Sequence, residues 1–251
     1  MPNVAPVAAS ASKRTRRAKL KRAIKAVSML FGDPERSEDG RDVLSALILT
    51  ILSQATTDEN RDVAYGRLRR RFPTWEEVFK ADVREVEEAI RPGGLSRQKS
   101  VRIQELLAWL KKDQGRLSAD FLCELDLDGA MDRMGHLRGI GIKTLSVVLM
   151  FTCGRDVFPV DTHVHRVCRR LGLIDEKCTA NRAHHEMTNL LAPGEAYATH
   201  INFWKFGKHV CRARRPLCHT CPLVKDCVFP DKNLEKGGEG GRTSPRLVGT
   251  A

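Results

Sequence analysis

Apolar residues in this chain recur at intervals of three or four, and no segment convincingly alternates apolar and polar residues with a period of two. The first clear set is Leu20, Ile24, Val27 and Phe31. Such spacing places apolar side chains on one face of a helix, whereas a half-buried strand needs strict alternation. The sequence therefore predicts an all-α fold.

Helix start and stop signals divide the chain into segments of ordinary length. Asp42 precedes an apolar run that ends at Leu52, and it is well placed to cap that helix. Two capping-box patterns open short helices, Thr74 with Glu77 and Asp82 with Glu85, and Pro92-Gly93-Gly94 ends the second of them. Further helices are predicted over 96–112, around 127–137 and around 164–171.

The charge of the chain favours a polyanionic partner. The chain has 43 Lys and Arg against 31 Asp and Glu, a net charge of +12. Eight of these basic residues, and no acid, lie within residues 1–25. We predict that residues 1–19 form a disordered basic arm that adds phosphate contacts, with a solubilising tail and a mitochondrial presequence as alternatives. Residues 232–251 are rich in Gly and are predicted to be a disordered tail.

The same sequence argues against a membrane protein and a secreted one. The longest apolar run, residues 46–52, is far too short to span a bilayer. The N-terminus lacks the apolar core of a secretory signal. We therefore expect a reducing compartment and no disulfide framework. Four scattered cysteines are expected to pack in the interior: Cys123, Cys153, Cys168 and Cys178.

A glycine-containing turn between two helical patterns is a candidate phosphate site. It spans residues 137–144 and contains Gly139, Ile140 and Gly141. Glycine allows unusual φ values and close approach of the backbone to a ligand. The N–H groups of the helix that follows would point at an anion in the turn. The alternative is a tight helical corner in which the glycines serve packing only, and the basic charge of the chain favours the phosphate reading.

Lys143, at the start of that helix, is a candidate nucleophile. An amine can attack C1′ of a nucleotide, expel the base and form a Schiff base, although Lys143 could also be one more phosphate contact. Asp161, just ahead of another helical pattern, is a candidate N-cap. It is also a candidate for the carboxylate that accepts a proton or stabilises positive charge on the sugar, and the two roles do not exclude each other. His163 and His165 are expected to be structural.

Four cysteines within seventeen residues predict a metal centre. Their spacing is C-x6-C-x2-C-x5-C. Zinc sites usually pair two short knuckles, and only one is present, so a [4Fe–4S] cluster is favoured over zinc. Basic residues within and just before the first interval are expected to face a DNA backbone. The ligands are Cys211, Cys218, Cys221 and Cys227, and the basic residues include Lys208, Arg212, Arg214 and Arg215.

Over residues 20 to 230, the chain resembles the endonuclease III family of helix–hairpin–helix DNA glycosylases. The turn at 137–144, the Val-Asp-Thr-His segment at 160–163 and the cysteine spacing occur in the family's order. The resemblance implies two helical domains with a DNA-binding cleft between them. A six-helix barrel domain would span 37–154, and an iron–sulfur cluster domain would combine 20–36 with 155–231.

The resemblance also implies a monomeric enzyme of base excision repair that acts on duplex DNA containing damaged pyrimidines or abasic sites. It would flip the damaged pyrimidine out, displace it with Lys143 and cut the strand 3′ to the lesion by β-elimination, with Asp161 as the essential carboxylate. Leu95 matches one of the side chains that fill the vacated stack. Gln54 is the candidate for the other, displaced by one position from the family pattern.

The sequence departs from the family pattern at two positions of the turn, and two alternative functions are considered. Arg138 stands where the family often has Pro, and Ile142 where it often has a basic residue. One rival is a monofunctional adenine-mispair glycosylase on the same scaffold, but that relative lacks the lysine at position 143. The other is a non-catalytic DNA-binding or redox-sensing protein, which the joint presence of Lys143 and Asp161 disfavours.

Overall fold

The computed structural model describes residues 12–36 and 40–235, and within these ranges the chain is helical and contains no strand. The α-helices are α1 (Lys13–Phe31), α2 (Val43–Leu52), α3 (Asp58–Arg71), α4 (Trp75–Lys80), α5 (Val83–Ala89), α6 (Ser96–Gln114), α7 (Leu127–Met134), α8 (Ile142–Phe151), α9 (Thr162–Arg170), α10 (Ala180–Thr188) and α11 (Ala196–His209). Short 3₁₀ helices span Arg91–Gly93, Asp120–Glu124 and Cys218–Thr220. None of the described helices has the length and apolar character needed to cross a membrane.

The predicted helix starts are formed by the expected side chains. The Asp42 carboxylate accepts a hydrogen bond from the Ser45 backbone N–H at 2.8 Å, which caps α2. Both capping boxes are present, at the starts of α4 and α5. These local bonds satisfy N–H groups that the first turn of a helix leaves without partners. The all-α prediction is confirmed.

Two separate hydrophobic clusters make up the interior of the described chain. The first joins α2 through α8 and extends to Val157. The second combines α1 with residues from Phe158 onward, which include α9, α10, α11 and Leu223. Helix α1 therefore packs with the C-terminal half although it comes first in sequence. The predicted domain limits at 36/37 and 154/155 remain predictions, but the change from one cluster to the other falls close to the second limit.

The prediction of a disordered arm over residues 1–19 is wrong for residues 13–19, which form the first turns of α1. Several basic side chains there bind protein groups. Arg16 forms an ion pair with Glu186 at 3.2 Å, and Lys19 donates to the Leu171 carbonyl oxygen at 2.8 Å. Long basic side chains can bury their stems while their heads reach distant carbonyls. Residues 1–11 lie outside the described residues, as do residues 236–251 of the predicted tail.

Two of the scattered cysteines, Cys123 and Cys153, pack against the first cluster as predicted. They are not the free thiols that a reducing compartment predicted. Cys123 and Cys153 form a disulfide bond across 30 residues of sequence. The bond joins the 3₁₀ helix at Asp120–Glu124 to the segment that follows α8. Cysteine spacing alone does not reveal such a pair, because the packing of the helices brings the two ends together. Cys168 and Cys178 are free and buried, as predicted.

Candidate DNA-binding and catalytic site

The turn between α7 and α8 has the unusual φ that its glycines suggested at Gly139 but not at Gly141. Gly139 has a φ of +84°, and a Cβ at that position would lie 2.8 Å from Cδ of Arg102. Both its conformation and its neighbour therefore require glycine. Ile140 is 2% exposed and packs into the first hydrophobic cluster, which anchors the turn from below.

Gly141 has a different reason to be glycine. Its φ of −114° is open to any residue, and a Cβ would meet nothing within 4 Å. It is the N-cap of α8 and offers no side chain to the first turn. The N–H groups at the start of α8 therefore lack a side-chain cap at a position where an external anion can approach closely. This geometry suits a phosphate group.

The two candidate catalytic residues lie at the N-termini of successive helices. Lys143 is exposed and is the second residue of α8. Asp161 is half-buried and is the N-cap of α9, where its Oδ1 accepts a hydrogen bond from the Val164 backbone N–H at 2.7 Å. The capping interpretation of Asp161 is therefore confirmed, and it leaves a carboxylate that faces partly outward.

Both charged groups influence one buried histidine. His200 lies on α11, and its Nδ1 is 2.9 Å from the Pro159 carbonyl oxygen. Burial lowers the pKa of His200; Asp161 opposes this effect and Lys143 adds to it. Both charges therefore lie within electrostatic range of one buried imidazole.

A second buried histidine lies on α10, close to the start of α8. The Ser146 hydroxyl donates to the Ile142 carbonyl oxygen at 2.7 Å, so Nδ1–H of His184 is the donor in its 3.1 Å bond to the same hydroxyl. Burial lowers the pKa of His184 to about 4, helped by nearby positive groups that include Lys143. His184 and His200 are thus neutral near pH 7. Sequence patterns do not reveal either histidine, because both occupy ordinary apolar helix faces.

The Gln54 side chain is engaged with protein groups in the described structure. Its Nε2 donates to the Gly139 carbonyl oxygen at 2.9 Å, and its Oε1 accepts from Arg102 at 2.9 Å. Ala55, the next residue, is exposed and has a φ of +51°. Gln54 therefore braces the turn at Gly139. Its insertion into DNA remains a prediction, and it would require release of both hydrogen bonds.

Leu95 has the exposure expected of a residue that enters DNA. Its side chain is 49% exposed immediately before α6, and its backbone lies in the left-handed region with a φ of +48°. That conformation costs a non-glycine residue about 1–2 kcal/mol. Its role in filling the base stack remains a prediction.

The four candidate ligands line one pocket. Cys211, Cys218, Cys221 and Cys227 share a pocket with apolar side chains from α9 and α11. Burial raises the pKa of Cys211, and it raises that of Cys221 to about 11. Within 12–36 and 40–235, no group of three or more His, Cys, Asp or Glu side chains is arranged to hold a metal ion. The cysteines are therefore gathered around one space without forming a ready single-ion site.

An arginine fastens the cysteine segment to α9. Arg170 donates to the Cys211 sulfur at 3.4 Å and to the Arg212 carbonyl oxygen at 2.7 Å. The basic residues predicted to face DNA are exposed in this region: Lys208, Arg212, Arg214 and Arg215. A positive charge held at the sulfur would help to stabilise a thiolate there.

Lys208 relates this basic region to the other half of the chain. Its Nζ lies 4.6 Å from the centre of the Trp204 ring. The pKa of Glu59, at the start of α3, is lowered first by its own backbone and by Thr57, and also by Lys208. Lys208 therefore lies within electrostatic range of Glu59, at the start of α3.

Comparison with known proteins agrees with this arrangement. The family model described as HhH-GPD superfamily base excision DNA repair protein matches residues 48–193. A protein of Arabidopsis thaliana named as a DNA glycosylase is 37% identical over 191 residues, which cover 72% of this chain and 65% of that relative. This chain thus spans slightly less than two thirds of that relative's length.

Two further similarities cover more of the related protein. Endonuclease III of Thermotoga maritima is 32% identical over 194 residues, which cover 77% of this chain and 86% of that protein. A solved structure of a trapped endonuclease III–DNA covalent intermediate superposes with a TM-score of 0.73 and 28% identity, and covers 84% of this chain and 95% of that one. The resemblance to endonuclease III inferred from the motifs is confirmed, and the chain belongs to the HhH-GPD superfamily of base excision DNA repair proteins.

Proposed function

We propose that this protein is a bifunctional DNA glycosylase and abasic-site lyase that acts as a monomer on oxidised pyrimidines in duplex DNA. The observation that carries the proposal is the placement of Lys143 and Asp161 at the N-termini of successive helices, with both charges acting on His200. Similarity to a protein captured as a covalent intermediate with DNA supports a nucleophilic residue at this site.

The proposed reaction begins when the turn at Gly139 to Gly141 binds a phosphate and the damaged nucleotide leaves the stack, at a cost of a few kcal/mol. The Lys143 amine then forms a bond to C1′ while the bond from C1′ to the base breaks. The base leaves with that electron pair and takes up the proton that the nitrogen loses. Asp161 stabilises the positive charge that develops on the sugar.

Strand cleavage follows from the same adduct. Opening of the sugar ring gives a Schiff base between C1′ and Lys143. Loss of a proton from C2′ then breaks the bond between C3′ and its oxygen, which cuts the strand 3′ to the lesion. Water finally releases Lys143. The neutral His184 and His200 add no positive charge beneath the amine.

We also propose that the cysteine pocket holds a [4Fe–4S] cluster. The donor set suits it, because four cysteines line one cavity and Arg170 offers a positive charge to the Cys211 sulfur. When bound, the cluster would cross-link a segment with few apolar residues of its own and stiffen its exposed arginines. Iron analysis of the purified protein tests the assignment: about four irons per chain are expected, and one zinc would refute it.

Borohydride trapping on a duplex with one abasic site tests the catalytic proposal. The wild type should give a covalent adduct, and Lys143→Ala should give none while it still binds the duplex. Asp161→Asn should fold, because Asn also caps helices, but it should turn over about 10²–10³-fold more slowly. Asp42→Asn, at the N-cap of α2, is the matched control and should react like the wild type.

Two results would contradict the proposal. An adduct formed by Lys143→Ala would place the nucleophile elsewhere. Release of the base without any adduct in the wild type would instead favour a monofunctional glycosylase. A panel of duplexes with different damaged bases, with base release and nicking measured separately, identifies the preferred lesion.

A further inference from the structure

Lys99 is a buried positive charge that the proposed reaction does not use. Its side chain is 0% exposed, and its Nζ donates hydrogen bonds to the carbonyl oxygens of Leu52 at 2.7 Å and Gly93 at 2.8 Å. Among the described residues it forms no ion pair. Burying an ammonium group is costly unless its donors are satisfied, so a lysine at this position needs an explanation beyond packing.

The two carbonyl groups belong to two different loops of the site. Leu52 is the last residue of α2, two residues before Gln54. Gly93 ends the 3₁₀ helix Arg91–Gly93, two residues before Leu95. One ammonium group therefore joins the loop that carries Gln54 to the loop that carries Leu95. Gln54 and Leu95 lie 41 residues apart in sequence, and the two hydrogen bonds of Lys99 form a direct polar link between their loops.

Both loops hold backbone conformations that need external support. Ala55 and Leu95 have φ values of +51° and +48°, in the region that favours glycine. Such residues persist where the surrounding structure holds them in place. Lys99 is fixed on α6, which begins one residue after Leu95, so its ammonium group is a rigid reference point for both loops.

The chemistry of the contacts explains why a lysine serves here. Carbonyl oxygens at a helix C-terminus lack backbone partners and carry partial negative charge, which an ammonium group satisfies. An apolar residue of the same length would leave the Leu52 and Gly93 oxygens without this donor. Burial lowers the pKa of Lys99, and the nearby Arg102 adds to this effect.

We propose that Lys99 is a positioning residue that holds the Gln54 and Leu95 loops at a fixed separation, so that Leu95 meets the gap left by a flipped nucleotide. This inference rests on the proposed function. It predicts a defect confined to duplex DNA, because a single strand has no base stack to fill.

The test compares cleavage of one abasic strand in duplex and in single-stranded form, under single turnover with excess protein. Lys99→Met should lower the ratio of duplex to single-strand rates by about tenfold or more, the scale expected from misplacement of a positioning group. Leu95→Ala should lower it similarly, and the double variant should be little worse than the more impaired single one. Lys112→Met, which removes the same charge from an exposed position of α6, should leave the ratio unchanged.

The ratio separates this role from a purely structural one. Partial unfolding of Lys99→Met lowers the duplex and single-strand rates by the same factor and leaves their ratio unchanged. An unchanged ratio therefore refutes the proposal. A double variant whose two losses multiply also refutes it. If Lys99→Met does not fold, Lys99→Gln keeps an amide donor and is judged by the same ratio. Failure of the wild type to cleave either substrate would refute the proposed function instead.

Discussion

The buried His184 predicts a defined loss of stability in mild acid. Its pKa is 6.5 in an ordinary environment and is lowered to about 4 in the folded protein. As pH falls, the unfolded chain therefore binds this proton first, and stability is lost between the two pKa values. The full difference corresponds to about 3 kcal/mol, of which about 2 kcal/mol is lost by about pH 5.

The measurement compares the wild type with His184→Gln. Glutamine does not titrate, and its amide can still donate to the Ser146 hydroxyl. Urea unfolding at about pH 7.5 and about pH 5 gives the free energy of unfolding for both proteins. The wild type should lose about 2 kcal/mol more than the variant, and the other titrating groups cancel in the comparison.

Equal losses in the two proteins would refute the reasoning. They would mean that His184 binds its proton in the folded state about as readily as in the unfolded chain. The neutral imidazole near Lys143 would then be charged in mild acid, contrary to the burial seen here. A larger loss in the variant would place the acid sensitivity in other groups.

Two further predictions concern the second hydrophobic cluster and the N-terminus. Gly207→Ala should destabilise the protein by about 1–3 kcal/mol, because its Cβ would lie 2.9 Å from Cβ of His163. The control Gly66→Ala, whose Cβ meets only the flexible end of Arg70, should be neutral or stabilising. Equal unfolding midpoints for the two variants would contradict this prediction. Deletion of residues 1–12, which contain no Lys or Arg, should leave the salt dependence of DNA binding unchanged; a loss of about 0.9 log unit in slope would reveal a phosphate contact.

The helices and their starts were predictable because the signals are local. A capping aspartate such as Asp42 acts on a backbone N–H three residues away. The same holds for the turn at Gly139, whose positive φ is a property of a single residue. Neighbours three or four residues apart in a helix lie on the same face. Patterns over such distances were enough to place Lys143 and Asp161 at helix N-termini.

The errors involve partners that are distant in sequence, and so do most of the omissions. Arg16 was assigned to a disordered arm, but Glu186 binds it from 170 residues away. Cys123 and Cys153 were expected to be separate thiols. The double role of Lys99 could not be seen, because its partners are backbone oxygens and carry no mark in the sequence.

The amino-acid sequence by itself determined the helical class, the helix boundaries set by capping residues, and the chemical groups available for a reaction with DNA. The tertiary structure decided which of those groups share a site. It placed both candidate catalytic charges within electrostatic range of His200, engaged Gln54 with Gly139, and joined two loops through Lys99. The physical reason is that backbone and capping energies act over one helical turn, whereas burial and long-range hydrogen bonds exist only once separate helices have packed.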